Sequence, residues 1–146
     1  MMKITRITIK GASGYGPVDM AYEDKITLTD SSISYEYKPH PMSNSKANVY
    51  RKWSYKTTSS DFKEIFQAVA DMTPDVINCE DELLACDIGP TEIIVTYEDK
   101  HRDHEYFFVP SEYFREWFLL IKQLVPPCER TPEVLWTRDD EETDDE

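Results

Sequence analysis

The chain lacks a cysteine framework, a long apolar run, a surplus of basic residues and any catalytic signature defined by spacing. Its three cysteines, Cys79, Cys86 and Cys128, are odd in number and spread through 146 residues. That usage fits reduced thiols in a cytosol, not the even set of a secreted disulfide fold. No Cys-x-x-Cys pair occurs. The acids Glu80, Asp81 and Glu82 follow Cys79 directly, whereas a reactive thiolate needs positive surroundings. No apolar run approaches the ~18 residues required to span a membrane. Met1–Lys10 already alternates like a strand and carries no apolar leader segment, so a cytoplasmic protein is expected.

Basic residues are scarce: 16 Lys and Arg stand against 29 Asp and Glu, a net charge of −13. On composition alone this disfavours nucleic acid bound through its phosphates, and anionic membrane surfaces as well. The segment 138–146 holds one Arg and seven acids. It reads as a disordered acidic tail on a single domain spanning 1–137. Aromatic residues make up 12% of the chain, and a domain of this size buries ~70% of its unfolded surface. A packed core is therefore expected without disulfides or metal.

Recognised phosphate and nucleophile motifs are also missing. The loop Gly11–Pro17 follows a strand but has no Lys-Ser/Thr pair and opens no helix, so neither the Walker nor the dinucleotide pattern is met. No serine lies in a Gly-x-Ser-x-Gly elbow. No cofactor is expected.

What the chain does have is clear periodicity. Lys3–Lys10 alternates, with Thr5, Ile7 and Ile9 on one face. Lys25–Thr29 turns Ile26 and Leu28 inward. Ile33, Tyr35 and Tyr37 share a face, and Val49–Thr57 alternates after the loop Pro39–Asn48. Thr91–Tyr97 and Glu105–Val109 read as a hairpin around Glu98–His101. Two stripes have helical spacing. Phe62, Ile65, Phe66, Val69 and Met72 follow a capping box at Asp61 and Glu64 and stop at Pro74. Phe114, Trp117, Phe118, Ile121, Leu124 and Val125 follow an N-cap at Ser111. Asp75–Pro90 shows no clear period; Leu83–Cys86 fits a helical turn or a short strand. Tyr22–Lys25 reads as turn composition.

The two helical stripes match at an offset of 52, Phe62 with Phe114, Phe66 with Phe118 and Pro74 with Pro126, and each follows a hairpin. The expected fold is α+β: a two-layer sandwich, mainly antiparallel, of about five to six strands, with two amphipathic helices on one face. A tandem hairpin-helix pseudo-repeat is one source of that layout.

Two residue groups stand out as candidate sites. Tyr35, Tyr37, Tyr50, Trp53 and Tyr55 crowd one hairpin, and rigid amphipathic rings suit a partner-binding surface. His101 and His104, close to acids, are candidate metal ligands, although residues three apart on a hairpin tend to face opposite sides. The leading functional expectation is a non-enzymatic protein-protein interaction module, inhibitor- or immunity-like in size and charge, with a basic protein as partner. The alternatives are an enzyme whose site is built from the loops Gly11–Pro17, Pro39–Asn48 and Asp99–His104, and a homodimer.

Overall fold

The computed structural model describes residues 3–13, 17–78, 91–107, 111–127 and 132–137. Six strands form one sheet: β1 (Ile4–Ala12), β2 (Tyr22–Thr29), β3 (Ser32–Pro39), β4 (Arg51–Lys56), β5 (Thr91–Tyr97) and β6 (Arg102–Phe107). Helix α1 (Ser60–Ile77) follows β4, and helix α2 (Arg115–Lys122) comes after β6. The strand order is β4-β3-β2-β1-β5-β6, with every neighbouring pair antiparallel. Both helices join the core on one face of the sheet, which makes the fold an α+β two-layer sandwich. Hairpin then helix occurs twice, at opposite ends of the sheet, with β1 and β2 between.

The core follows from the two periods meeting. Leu28, Ile7 and Val95 form one row across three strands, and Ile26, Ile9 and Ile93 form the next. All are fully buried. Phe62, Phe66 and Val69 of α1 and Trp117, Phe118 and Ile121 of α2 close over them. β1 departs from strict alternation. Ile4 pairs with Tyr97 and Arg6 with Thr96, so β1 holds one extra residue there. This bulge returns Ile4 to the core face and leaves Thr5 exposed, where plain alternation had grouped Thr5 with Ile7 and Ile9.

Several element boundaries differ from the sequence expectation. β2 starts at Tyr22, so Tyr22–Lys25 is strand; its backbone pairs with Lys38, Tyr37 and Glu36 of β3. β4 is shorter than Val49–Thr57. β6 begins at Arg102, because only the residues up to His101 are needed for the turn, closed by Tyr97 N–H to His101 O at 3.0 Å. The N-cap of α1 is Ser59, whose Oγ accepts from Phe62 N at 3.4 Å, rather than an Asp61 capping box. α1 also continues past Pro74 to Ile77. The proline sits in the last turn, where it removes a single N–H···O bond of the helix. Asn78 closes the end by donating to Pro74 O from both its backbone N and its Nδ2, at 3.1 and 2.7 Å.

α2 is tighter than a uniform helix. A 3₁₀ turn, Ser111–Phe114, precedes it, and Gln123, Leu124 and Val125 donate to carbonyls three residues back. The predicted stripe is nonetheless buried from Phe114 to Leu124. The Ser111 side chain, Val109, Leu83–Cys86, the three cysteines and the 138–146 tail lie outside the described residues. Among the described residues, no helix is long and apolar enough to cross a membrane.

Candidate functional site

The sheet has a second face that neither helix covers. Pairing registers assign its side chains. One row runs Lys52, Glu36, Lys25, Lys10, Glu92 and Tyr106 from β4 to β6. The next runs Ser54, Ser34, Thr27, Thr8, Ile94 and His104. A third holds Lys56, Ser32 and Thr29 on one side and Arg6, Thr96 and Arg102 on the other. Lys38 and Glu23 add a pair beyond the first row. Strands on this face thus carry seven cations, Arg6, Lys10, Lys25, Lys38, Lys52, Lys56 and Arg102, against three acids, Glu23, Glu36 and Glu92. In a chain of net charge −13, the open sheet face has the opposite sign.

The charge is unevenly shared along the strands. Toward Ala12 the groups neutralise one another: Lys10 Nζ lies 3.9 Å from Glu92 Oε2, and Lys38 Nζ 3.6 Å from Glu36 Oε1. They border an open depression of ≈ 320 Å³ that also reaches Lys25 and Glu23. Tyr50 Oη donates to Glu36 Oε2 at 2.7 Å; that bond is the largest influence holding the Glu36 carboxyl below its ordinary range. Toward Arg6 the surface is a belt of small hydroxyls, with Arg6, Lys52, Lys56 and Arg102 exposed around it. These four cations make no ion pair among the described residues.

Beneath the sheet, on the helix side, a polar cluster interrupts the core. Asp24 is 4% exposed. Its Oδ2 accepts from Tyr35 Oη and from Val134 N–H, each at 2.8 Å. Burial pushes its carboxyl up to about 6, partly opposed by those two bonds and by the nearby Arg51 charge. Oδ1 of Asp24 and Nη2 of Arg51 are buried with no hydrogen-bond partner among the described residues. Arg51 stacks its guanidinium 4.0 Å above the Tyr37 ring, and Tyr37 stacks on Tyr22 at 4.9 Å. Gly11 lies against this cluster: a Cβ there would come within 2.9 Å of both Asp24 Oδ1 and Val134 Cγ2. The cluster is a clasp. It holds the 3₁₀ turn Glu133–Leu135 against β1 and β2, and Lys122 Nζ fastens the same segment through Thr137 Oγ1 at 2.9 Å.

The structure disperses the tyrosine-rich set. Tyr35 and Tyr37 point into the core, 3% and 6% exposed, so neither ring is offered to a partner. Trp53 is half-buried beside Tyr35, and Tyr55 is exposed beside Phe62. Tyr50 alone lies with the open-face residues, tied to Glu36. The histidines are also separated. His101 bonds Asp99 Oδ1 through Nδ1 at 2.6 Å and stacks on Tyr97. His104 lies on the open face, paired with Glu92 and stacked on Tyr106. Among the described residues, no group of three or more His, Cys, Asp or Glu is placed to hold a metal.

The three loops considered for an enzymatic site do not converge. Tyr22 pairs with Pro39 and Ala12 with Glu23, so the Gly11 and Pro39 loops share one end of the sheet. The Asp99–His104 turn lies at the other end, beside Arg6, the length of β1 away, about 27 Å at strand rise.

Sequence reading missed the open-face cations and Asp24. Both were accessible through parity: Asp24 is two residues before Ile26, and the lysines alternate with core residues. No protein-family model matches the chain, and no curated protein matches it in sequence.

Proposed function

We propose that this protein is a non-enzymatic protein-binding module that makes contact through the open face of its sheet. One observation carries the reading: a whole six-stranded face, hydroxyl-rich and cationic, is left uncovered by both helices of a strongly acidic chain. A surface with an excess of one charge steers and orients a complementary partner. The tyrosine-rich hairpin contributes as scaffold through Tyr35 and Tyr37. The partner favoured by this face is acidic rather than basic, a reversal of the expectation from overall charge.

A photo-reactive amino acid placed at Ser54, exposed at the β4 end of the hydroxyl row, tests the reading in the native cell. A discrete crosslinked protein is expected there. It should be absent when the same group is placed at exposed Gln67 on α1, on the helix side. Equal labelling from both positions removes the sheet face as the contact surface.

A further inference from the structure

The two halves of the open face are chemically distinct, and the difference specifies a ligand. Toward Ala12, cations and acids pair with one another. Toward Arg6, the exposed cations Arg6, Lys56 and Arg102 make no ion pair among the described residues. Lys56 is on edge strand β4, Arg102 is on edge strand β6, and Arg6 lies between on β1. The hydroxyls of Thr8, Thr27, Ser34 and Ser54 span the interval in one row. At ~4.8 Å per strand the edges are separated by about 24 Å.

Resting on the reading of this face as the contact surface, we propose that its Arg6–Lys56–Arg102 half is a docking site for an acidic peptide segment of a partner protein. Arg6 and Arg102 present planar guanidinium forks suited to carboxylates, and the intervening hydroxyls donate to carboxylate and carbonyl oxygens. Spaced cations at the two edges suit a chain bearing a few carboxylates. A continuous polyphosphate fits less well. It carries a charge every few ångströms, denser than the cations spaced across this face. Single-stranded nucleic acid also needs aromatic platforms along its path, and here the middle of the face carries hydroxyls, with Tyr106 and His104 confined to β6. A second copy of the chain docked face to face would set like charges against each other.

Fluorescence anisotropy with a labelled glutamate-rich peptide, against the full-length chain at low salt, tests the assignment. Binding is expected, and it should weaken by about tenfold or more in the triple variant Arg6→Glu, Lys56→Glu, Arg102→Glu, since exposed pairs each contribute modestly and add. It should persist in Arg6→Lys, Lys56→Arg, Arg102→Lys, which keeps the charge. Circular dichroism of the reversal variant separates lost binding from lost folding; if it fails to fold, Arg6→Gln with Arg102→Gln gives the same comparison at smaller amplitude. Absence of peptide binding, equal binding by the neutral or reversed variant, or tighter binding of a single-stranded oligonucleotide overturns the proposal. A partner crosslinked at Ser54 in a protein that ignores the peptide would retain the module and remove the acidic ligand. No crosslink in a protein that binds the peptide would instead count against the cellular contact.

Discussion

Lys100 shows how a single backbone angle constrains a turn. It has φ 73°, the one positive φ at a non-glycine among the described residues. It ends the β5–β6 connection, where Lys100 N–H bonds Tyr97 O at 2.8 Å. A Cβ in this region costs about 1 kcal/mol, which glycine avoids. Lys100→Gly should therefore raise stability by about 1 kcal/mol in urea melts, and an unchanged or lower midpoint would refute the strain. Asp24 adds a pH dependence. Its folded pKa, about 6, lies above the ordinary 3.8, so the fold favours the protonated carboxyl. That stabilisation is complete below the unfolded pKa and is lost as pH rises through about 6. From about pH 4 to about pH 7 this group alone should lower stability by about 2 kcal/mol. Asp24→Asn should remove that slope; an Asn variant retaining it would place the titration elsewhere. Gly11→Ala tests the packing of the same clasp. The added methyl meets Asp24 and Val134 at 2.9 Å, and overpacking of this kind costs ~1–3 kcal/mol.

At the level of elements, the two helices are joined by a polar lock inside an apolar seam. Trp117 Nε1 donates to Val69 O and to Thr73 Oγ1, each at 3.2 Å. Thr73 Oγ1 in turn donates to Val69 O at 2.7 Å. Trp117 is 1% exposed, so Trp117→Ala should cost ~3–5 kcal/mol through the cavity it leaves. Trp117→Phe keeps most of the ring and loses the donor, for which about 1–2 kcal/mol is expected. Equal losses in denaturant melts of the two variants would show that volume, not the hydrogen bond, is unimportant to the seam. The stripes themselves were plain from residue spacing, since i, i+3, i+4 repeats hold for any amphipathic helix. The ends were not. Helix α1 runs through Pro74 to Ile77, with Asn78 donating to the Pro74 carbonyl, and 3₁₀ turns flank α2.

On the scale of the whole molecule, the open sheet face runs against the net charge of the chain. The open face has seven cations to three acids, so the acidic excess lies elsewhere in the chain. Both edges of the sheet are lined with charge on that side, Lys52 and Lys56 on β4 and Arg102 on β6. Charged edge residues discourage strand-to-strand association of open edges. Replacing Lys52 and Lys56 by Val should accordingly shift the protein toward larger, concentration-dependent species in sedimentation velocity. Unchanged sedimentation at high concentration would show that the β4 edge is guarded some other way.

The sequence by itself determined the strand and helix stripes, and with them the α+β sandwich. Period two and period 3.6 are properties of local geometry and survive in any packing. Tertiary structure alone decided which polar residues share a surface. Arg6, Lys56 and Arg102 share one face because β1, β4 and β6, far apart in the chain, lie in one sheet with fixed registers. Tyr35 and Asp24 become a buried pair only because β2 and β3 align them beneath Val134. Net charge, summed over the chain, conceals such local reversals, since an electrostatic surface depends on where side chains point.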